Sequence, residues 1–363
     1  MAHRPLYGHH DVRQRLASAA LDGSLPSSLL LTGRRGIGKQ RLALWLGQYL
    51  LCERAMTGGA LEPCGDCKSC RYATTMVHPD LHWVFPQLRK DLETDRDADE
   101  VKDDLREAAA ERMEADGLWK ASDRTSALFL DTMKAVVKWA TKRPAMSSIQ
   151  VFVLGDAERM VSQSASAEAA NTFLKLLEEP PAAVRLVLTS SEPGLLLPTI
   201  KSRVVTVRVP PVSREDCEAF LDDAAVARQW KGTRDEALAQ MRGAPGALLS
   251  VDDLRATYAS ARTLLEAALQ PATPDGVAIR TKVAAKQGVA GARGAFSDVL
   301  DALTELLHGR TRHLIEARRE VEARRTTLAL PVVEQVRELT QRNVAPNLLT
   351  ASLLRDLHRV LHP

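Results

Sequence analysis

The stretch that most limits how this chain can fold is Gly33-Arg34-Arg35-Gly36-Ile37-Gly38-Lys39. It fits G-x-x-x-x-G-K, a loop whose glycines let backbone N–H groups close around phosphates while the lysine meets the terminal ones. Such a loop sits between a strand and a helix, and both are legible. Ser28–Thr32 is a short apolar run, and residues 39–51 carry Leu42, Leu46, Tyr49 and Leu50 on one helical side. The competing reading is an ordinary glycine-rich turn. One part is absent. The residue after Lys39 is Gln40, where a working loop has the Ser or Thr hydroxyl that holds Mg²⁺.

Further apolar runs extend the pattern. Val151-Phe152-Val153-Leu154 ends at Gly155-Asp156, Leu186-Val187-Leu188 ends in Thr189-Ser190-Ser191, and Val204–Val209 is a third. Helical spacing over 169–177 stops at Glu178-Glu179-Pro180-Pro181. Strands alternating with helices predict a parallel sheet covered on both faces, hence an α/β fold. From about 213 onward the spacing is helical, with Gly/Pro breaks near 243–246 and 271–275 and no internal repeat. A chain of 363 residues suggests two or three domains.

Charge does little to narrow the function. Lys and Arg number 49 and Asp and Glu 46, a balance that neither proves nor excludes nucleic-acid binding. No apolar run of about 18 residues is present, and no apolar signal region follows Met1–Pro5, so the expectation is a cytoplasmic protein without a membrane span. Residues 87–124 hold 13 acidic and 8 basic side chains. They read as a surface insert, with Asp99–Met113 as a solvated helix.

Four of the five cysteines cluster as Cys52, Cys64, Cys67 and Cys70; Cys217 stands alone. The spacing lets four thiolates surround one tetrahedral ion, and four soft ligands suit a closed structural Zn²⁺ site. Free thiols or a redox pair are the alternatives. His78 and His82 lie nearby but are read as structural, since four thiolates saturate the ion.

Asp156, after an apolar strand, occupies the place where phosphate-loop ATPases steer Mg²⁺; a helix N-cap is its other reading. The following residue is Ala157, where the water-activating Glu usually stands. Glu158, one position further, points elsewhere on a regular backbone. Arg203 in Ser202-Arg203 has the planar fork that suits phosphate oxygens, although a surface arginine is usually just solvated.

Together, Gly33–Lys39, the Cys52/Cys64/Cys67/Cys70 module, Leu174-Lys175-Leu176-Leu177-Glu178-Glu179-Pro180-Pro181 and Ser202-Arg203 resemble the AAA+ clamp-loader family of DNA replication. Val204 replaces the cysteine of the family's S-R-C motif. The resemblance covers roughly residues 5–250. It implies an AAA+ domain over 1–211 with a zinc module at about 52–70, a small helical lid over 212–255, and an all-α oligomerisation collar over 256–363. Gly33, Gly36, Gly38, Lys39 and Asp156 would form the nucleotide site. Three departures mark that site as degenerate: Gln40, Ala157, and Gly246 where active subunits carry a nucleotide-sensing arginine. ATP binding is expected to be weak or absent. Within the family, Arg203 would act in trans as an arginine finger in a neighbouring subunit's ATP site. The implied role is a non-catalytic subunit of the polymerase III complex, working with gamma/tau and delta subunits, the sliding clamp and primed DNA. The chain as given also lacks a long tau-like tail. The alternative is an active ATPase of gamma/tau type.

Overall fold

The computed structural model describes residues 5–87, 96–114, 126–160, 168–230, 232–287, 293–340 and 346–362. Two compact units divide the chain between Leu249 and Ser250.

The first unit opens with helix α1 (His10–Leu21), strand β1 (Ser28–Thr32) and helix α2 (Lys39–Leu50). Short helices α3 (Glu53–Gly58) and α4 (Lys68–Thr74) precede β2 (Leu81–Val84). Then come α5 (Ala98–Glu114), α6 (Leu130–Ala140), β3 (Gln150–Leu154), α7 (Glu168–Glu178), β4 (Val184–Ser190), α8 (Pro198–Lys201) and β5 (Val205–Arg208). The strands form one sheet in the order β2-β3-β4-β1-β5, with every neighbouring pair parallel. This is the expected α/β architecture. β1 and β3 are buried along their whole length, as strands covered on both faces must be. β5 is the exposed edge.

Register then places the chemistry. Thr32 of β1 pairs with Ser190 of β4, and Leu154 of β3 pairs with Leu188. The loop at 33–39, the Gly155-Asp156 turn and Ser191 therefore leave the sheet at the same carboxyl edge, where open α/β sheets bind ligands.

β2 is an element that sequence patterning overlooked. Its four residues are too short to stand out, but Leu81 and Trp83 are buried against the core. Asp80, just before it, is fully buried, and its carboxylate accepts N–H bonds from Ala145, Met146 and Ser147 at 2.6–2.8 Å. That ties the start of β2 to the loop leading into β3. His78 and His82 are structural, as expected: His78 Nδ1 accepts from the Asp80 N–H, and His82 stacks on Phe152 and Trp139.

α5 corrects another expectation. Ala98, Val101, Leu105, Ala109 and Met113 recur every three or four residues and are all buried, so this helix packs one face on the core instead of being solvated all round. Residues 88–95 and 115–124 of the charged insert lie outside the described residues.

Helices α9 (Arg214–Asp222), α10 (Ala224–Gln229) and α11 (Arg234–Met241) follow. They enclose a small core of Cys217, Phe220, Leu221, Val226, Ala237 and Met241, which accounts for the lone cysteine as a buried apolar residue. Ser213 caps α9, and Thr233 with Glu236 forms a capping box on α11.

The second unit is helical: α12 (Val251–Ala268), α13 (Pro274–Gln287), α14 (Arg293–Glu316), α15 (Glu320–Thr340) and α16 (Pro346–Leu361). Leu300, Leu303 and Leu307 on one stripe of α14 meet Leu264, Val333, Leu353 and Leu357 in a separate hydrophobic core. Among the described residues, no helix is long and apolar enough to cross a membrane.

Candidate functional site

The loop has the backbone that its glycines permit. Gly36 and Gly38 adopt φ of +81° and +93°, values that disfavour any side chain, and α2 begins at Lys39. The lysine does not point outward. Its Nζ donates to Gly33 O, Arg34 O and Ser191 Oγ, each at 2.8 Å. An ammonium has three N–H donors, so the protein itself satisfies all of them. Burial lowers its pKa from 10.5 to about 8, against the opposing pull of Asp156 and Glu158.

Gln40 fills the place of the missing hydroxyl. Its Nε2 donates to Asp156 Oδ2 at 3.2 Å, and its Oε1 accepts from Trp83 Nε1 at 3.2 Å. The amide is packed so closely that a Cβ on Gly155 would lie 2.6 Å from Gln40 Cδ. The carboxylate of Asp156 thus has an internal partner instead of open space on the side facing α2.

Glu158 does not point away. Asp156 takes a left-handed backbone (φ +48°), and Ala157–Met160 is a 3-10 turn, so the regular-backbone argument fails. The turn brings Glu158 inward. It is buried, and its Oε1 accepts from the Ser191 N–H at 3.1 Å. Burial, with Asp156 nearby, holds its carboxyl above the usual range. Ser191 therefore links Lys39 to Glu158, a role that no local sequence pattern signals.

Gly246 lies directly on the loop. Its N–H donates to Gly36 O at 2.8 Å, and a Cβ there would stand 2.8 Å from Gly36 Cα. No larger residue fits without displacing the loop or the 245–250 turn.

Arg203 follows α8 and belongs to a different part of the surface. Its Nη1 donates to Thr199 O at 2.9 Å and Ser202 Oγ at 3.1 Å, and its Nη2 pairs with Glu178 Oε1 at 2.7 Å. Both side chains of that pair are partly solvent-accessible.

The four clustered cysteines converge as the spacing predicts. The Sγ atoms of Cys52, Cys64, Cys67 and Cys70 lie within 4.8 Å of one another. A tetrahedral ion with Zn–S bonds of about 2.3 Å requires sulfurs about 3.8 Å apart, and Cys64 Sγ and Cys70 Sγ are 3.9 Å apart. Cys52 and Cys67 cap α3 and α4. The N–H groups of Ala55 and Cys64 point at Cys52 Sγ, that of Cys67 at Cys64 Sγ, and that of Cys70 at Cys67 Sγ, all at 3.4 Å. Such N–H···S contacts favour thiolates, so this donor set fits a soft divalent cation.

Residues 8–213 match the family model described as DNA polymerase III, delta subunit. The chain is 30% identical over 201 residues to DNA polymerase III subunit delta' of Pseudomonas aeruginosa, covering 55% of this chain and 45% of that protein. It is 26% identical over 226 residues to DNA polymerase III subunit tau of Salmonella typhimurium, covering 61% of this chain and 28% of that one. Its matches to delta' and tau proteins thus extend from about a quarter to about two thirds of those proteins' length. Among solved structures, a DNA polymerase III gamma subunit-related protein of Thermotoga maritima aligns over 96% of this chain and 100% of that one, at 16% identity and a TM-score of 0.36, a likeness too low for inference. With the family model spanning more than half of its residues, the chain belongs to the DNA polymerase III delta-subunit family, of the delta-prime-like kind.

Proposed function

We propose that this chain is a non-catalytic clamp-loader subunit of bacterial DNA polymerase III. In this reading it joins gamma/tau and delta subunits in the cytoplasm and helps place the sliding clamp on primed DNA. The observation that carries the reading is the state of the phosphate loop. Lys39 spends its three N–H donors on protein acceptors, and the Gln40 amide partners Asp156 where a metal-binding hydroxyl is expected. Nucleotide would have to displace the first set of bonds, and Mg²⁺ would find no hydroxyl ligand on α2. ATP binding at this site is therefore weak or absent.

Arg203 supports the second half of the proposal. A guanidinium keeps its charge at every physiological pH and carries a planar fork matched to phosphoryl oxygens. Placed in a neighbouring subunit's ATP site, it would offset charge that develops on the transferred phosphoryl group. Zn²⁺, held by Cys52, Cys64, Cys67 and Cys70, would supply fold stabilisation and no chemistry.

The rival reading is an active ATPase of gamma/tau type. Glu158 beside Ser191 and Lys39 favours it, because a carboxylate does return to the loop. A steady-state assay decides. The purified chain should show no Mg²⁺-dependent ATP turnover, and a complex assembled with Arg203→Ala should lose about 10³-fold or more in turnover while still assembling. Turnover by the chain alone, abolished by Lys39→Ala, would establish the rival.

A further inference from the structure

Arg203 is already paired with an anion. Its Nη1 is held by two neutral acceptors of its own turn, Thr199 O and Ser202 Oγ, which set the direction of the fork. Its Nη2 meets the carboxylate of Glu178 at 2.7 Å. Glu178 is the last residue of α7 and the first acid of the Glu178-Glu179-Pro180-Pro181 segment. A negative charge there faces the negative end of the helix dipole, so local helix energetics give no reason for it. Its compensation comes from Arg203.

We propose that Glu178 is an anionic placeholder for Arg203, occupying its Nη2 until a phosphoryl group of a neighbouring subunit takes the carboxylate's place. This rests on reading Arg203 as a group that acts in trans. The chemistry of the exchange is symmetrical, since carboxylate and phosphoryl oxygens offer a guanidinium the same kind of acceptor. The exchange is also easy. With the Arg203 and Glu178 side chains 32% and 48% exposed, solvent screens the pair, and such pairs shift equilibria by at most about five-fold. A buried pair could not be given up so cheaply. The bonds from Nη1 to Thr199 and Ser202 need not break, so the fork keeps its aim while Nη2 changes partner.

The test is ATP turnover by the assembled complex, read as kcat/KM at low and high salt. Glu178→Gln keeps the shape and removes the competing charge. It should raise kcat/KM about two- to five-fold at low ionic strength, and the gain should vanish near 1 M salt, where the screening length is about 3 Å. Glu178→Asp, which keeps the anion, should restore wild-type behaviour. Arg203→Ala should lose turnover, and the double variant Glu178→Gln/Arg203→Ala should match it, because the effect runs only through Arg203. Three results would overturn the proposal: Glu178→Gln equal to wild type at low salt, Glu178→Gln as inactive as Arg203→Ala, or a double variant that differs from Arg203→Ala. If Arg203→Ala alone retains full turnover, the trans-acting reading fails and the placeholder falls with it.

Discussion

Lys39 shows how the fold sets the partners of a residue whose place a local motif gives. Burial lowers its pKa from 10.5 to about 8, so in the fold the ammonium carries a desolvation cost at neutral pH. The unfolded chain keeps that proton up to about 10.5. Between these values the unfolded state binds more protons, so stability rises with pH across the window. Lys39→Met has no such group. The unfolding free energy of the wild type, taken relative to this variant, should therefore rise by up to about 3 kcal/mol between about pH 7 and 10.5. Urea melts of both proteins at the two ends measure it, and a difference that stays flat with pH would refute the account. The lysine itself was legible as part of G-x-x-x-x-G-K, but its partner Ser191 was not. That contact joins residues 152 positions apart and depends on the register of β1 against β4. The place of Glu158 is not legible in the sequence for a related reason: a regular backbone carries it away, and a left-handed Asp156 followed by a 3-10 turn carries it back.

At the scale of elements, β1, β3, β4 and β5 and the helices α2 and α7 follow from apolar runs and helical spacing, whereas α1 and α6 do not. Nor does β2, because four residues broken by His82 and closed by Pro86 leave too short a signal, and its place is secured by the bonds that Asp80 accepts. Asp80→Ala would remove the fully buried acceptor of three partly buried backbone N–H donors and should destabilise the first unit by about 2 kcal/mol or more. The denaturant midpoint should fall with the slope unchanged; a loss below about 1 kcal/mol would mean that water or backbone rearrangement replaces the carboxylate. The cysteine module is another case where spacing foretold convergence, since three cysteines within seven residues have few ways to stay apart. Atomic emission should find one zinc per chain. Cys70→Ala should remove it and lower the melting temperature by several degrees, because α3 and α4 are each capped by a ligand cysteine. Retention of full thermal stability without metal would argue for free thiols.

For the molecule as a whole, the amino-acid sequence determined the α/β class, the phosphate loop, the four metal-type ligands, the L-x-x-L-E-E-P-P segment and the helical C-terminal third. These are local facts, written in spacing, periodicity and residue type over stretches of a few to about twenty residues. The sequence also marked where the chain departs from the motifs it resembles, at Gln40, Ala157 and Gly246. Only the tertiary structure decided what stands in their place: the amide of Gln40 bridging Asp156 and Trp83, Gly246 seated on Gly36, Glu158 turned back to Ser191, and Arg203 paired with Glu178. Each of these joins residues that are neither neighbours in the chain nor on one helix face. They meet because parallel strands with long crossovers bring distant loops together, most of them at the carboxyl edge of the sheet and Arg203 with Glu178 where α7 and α8 end, and because short turns redirect side chains in ways that sequence periodicity does not encode.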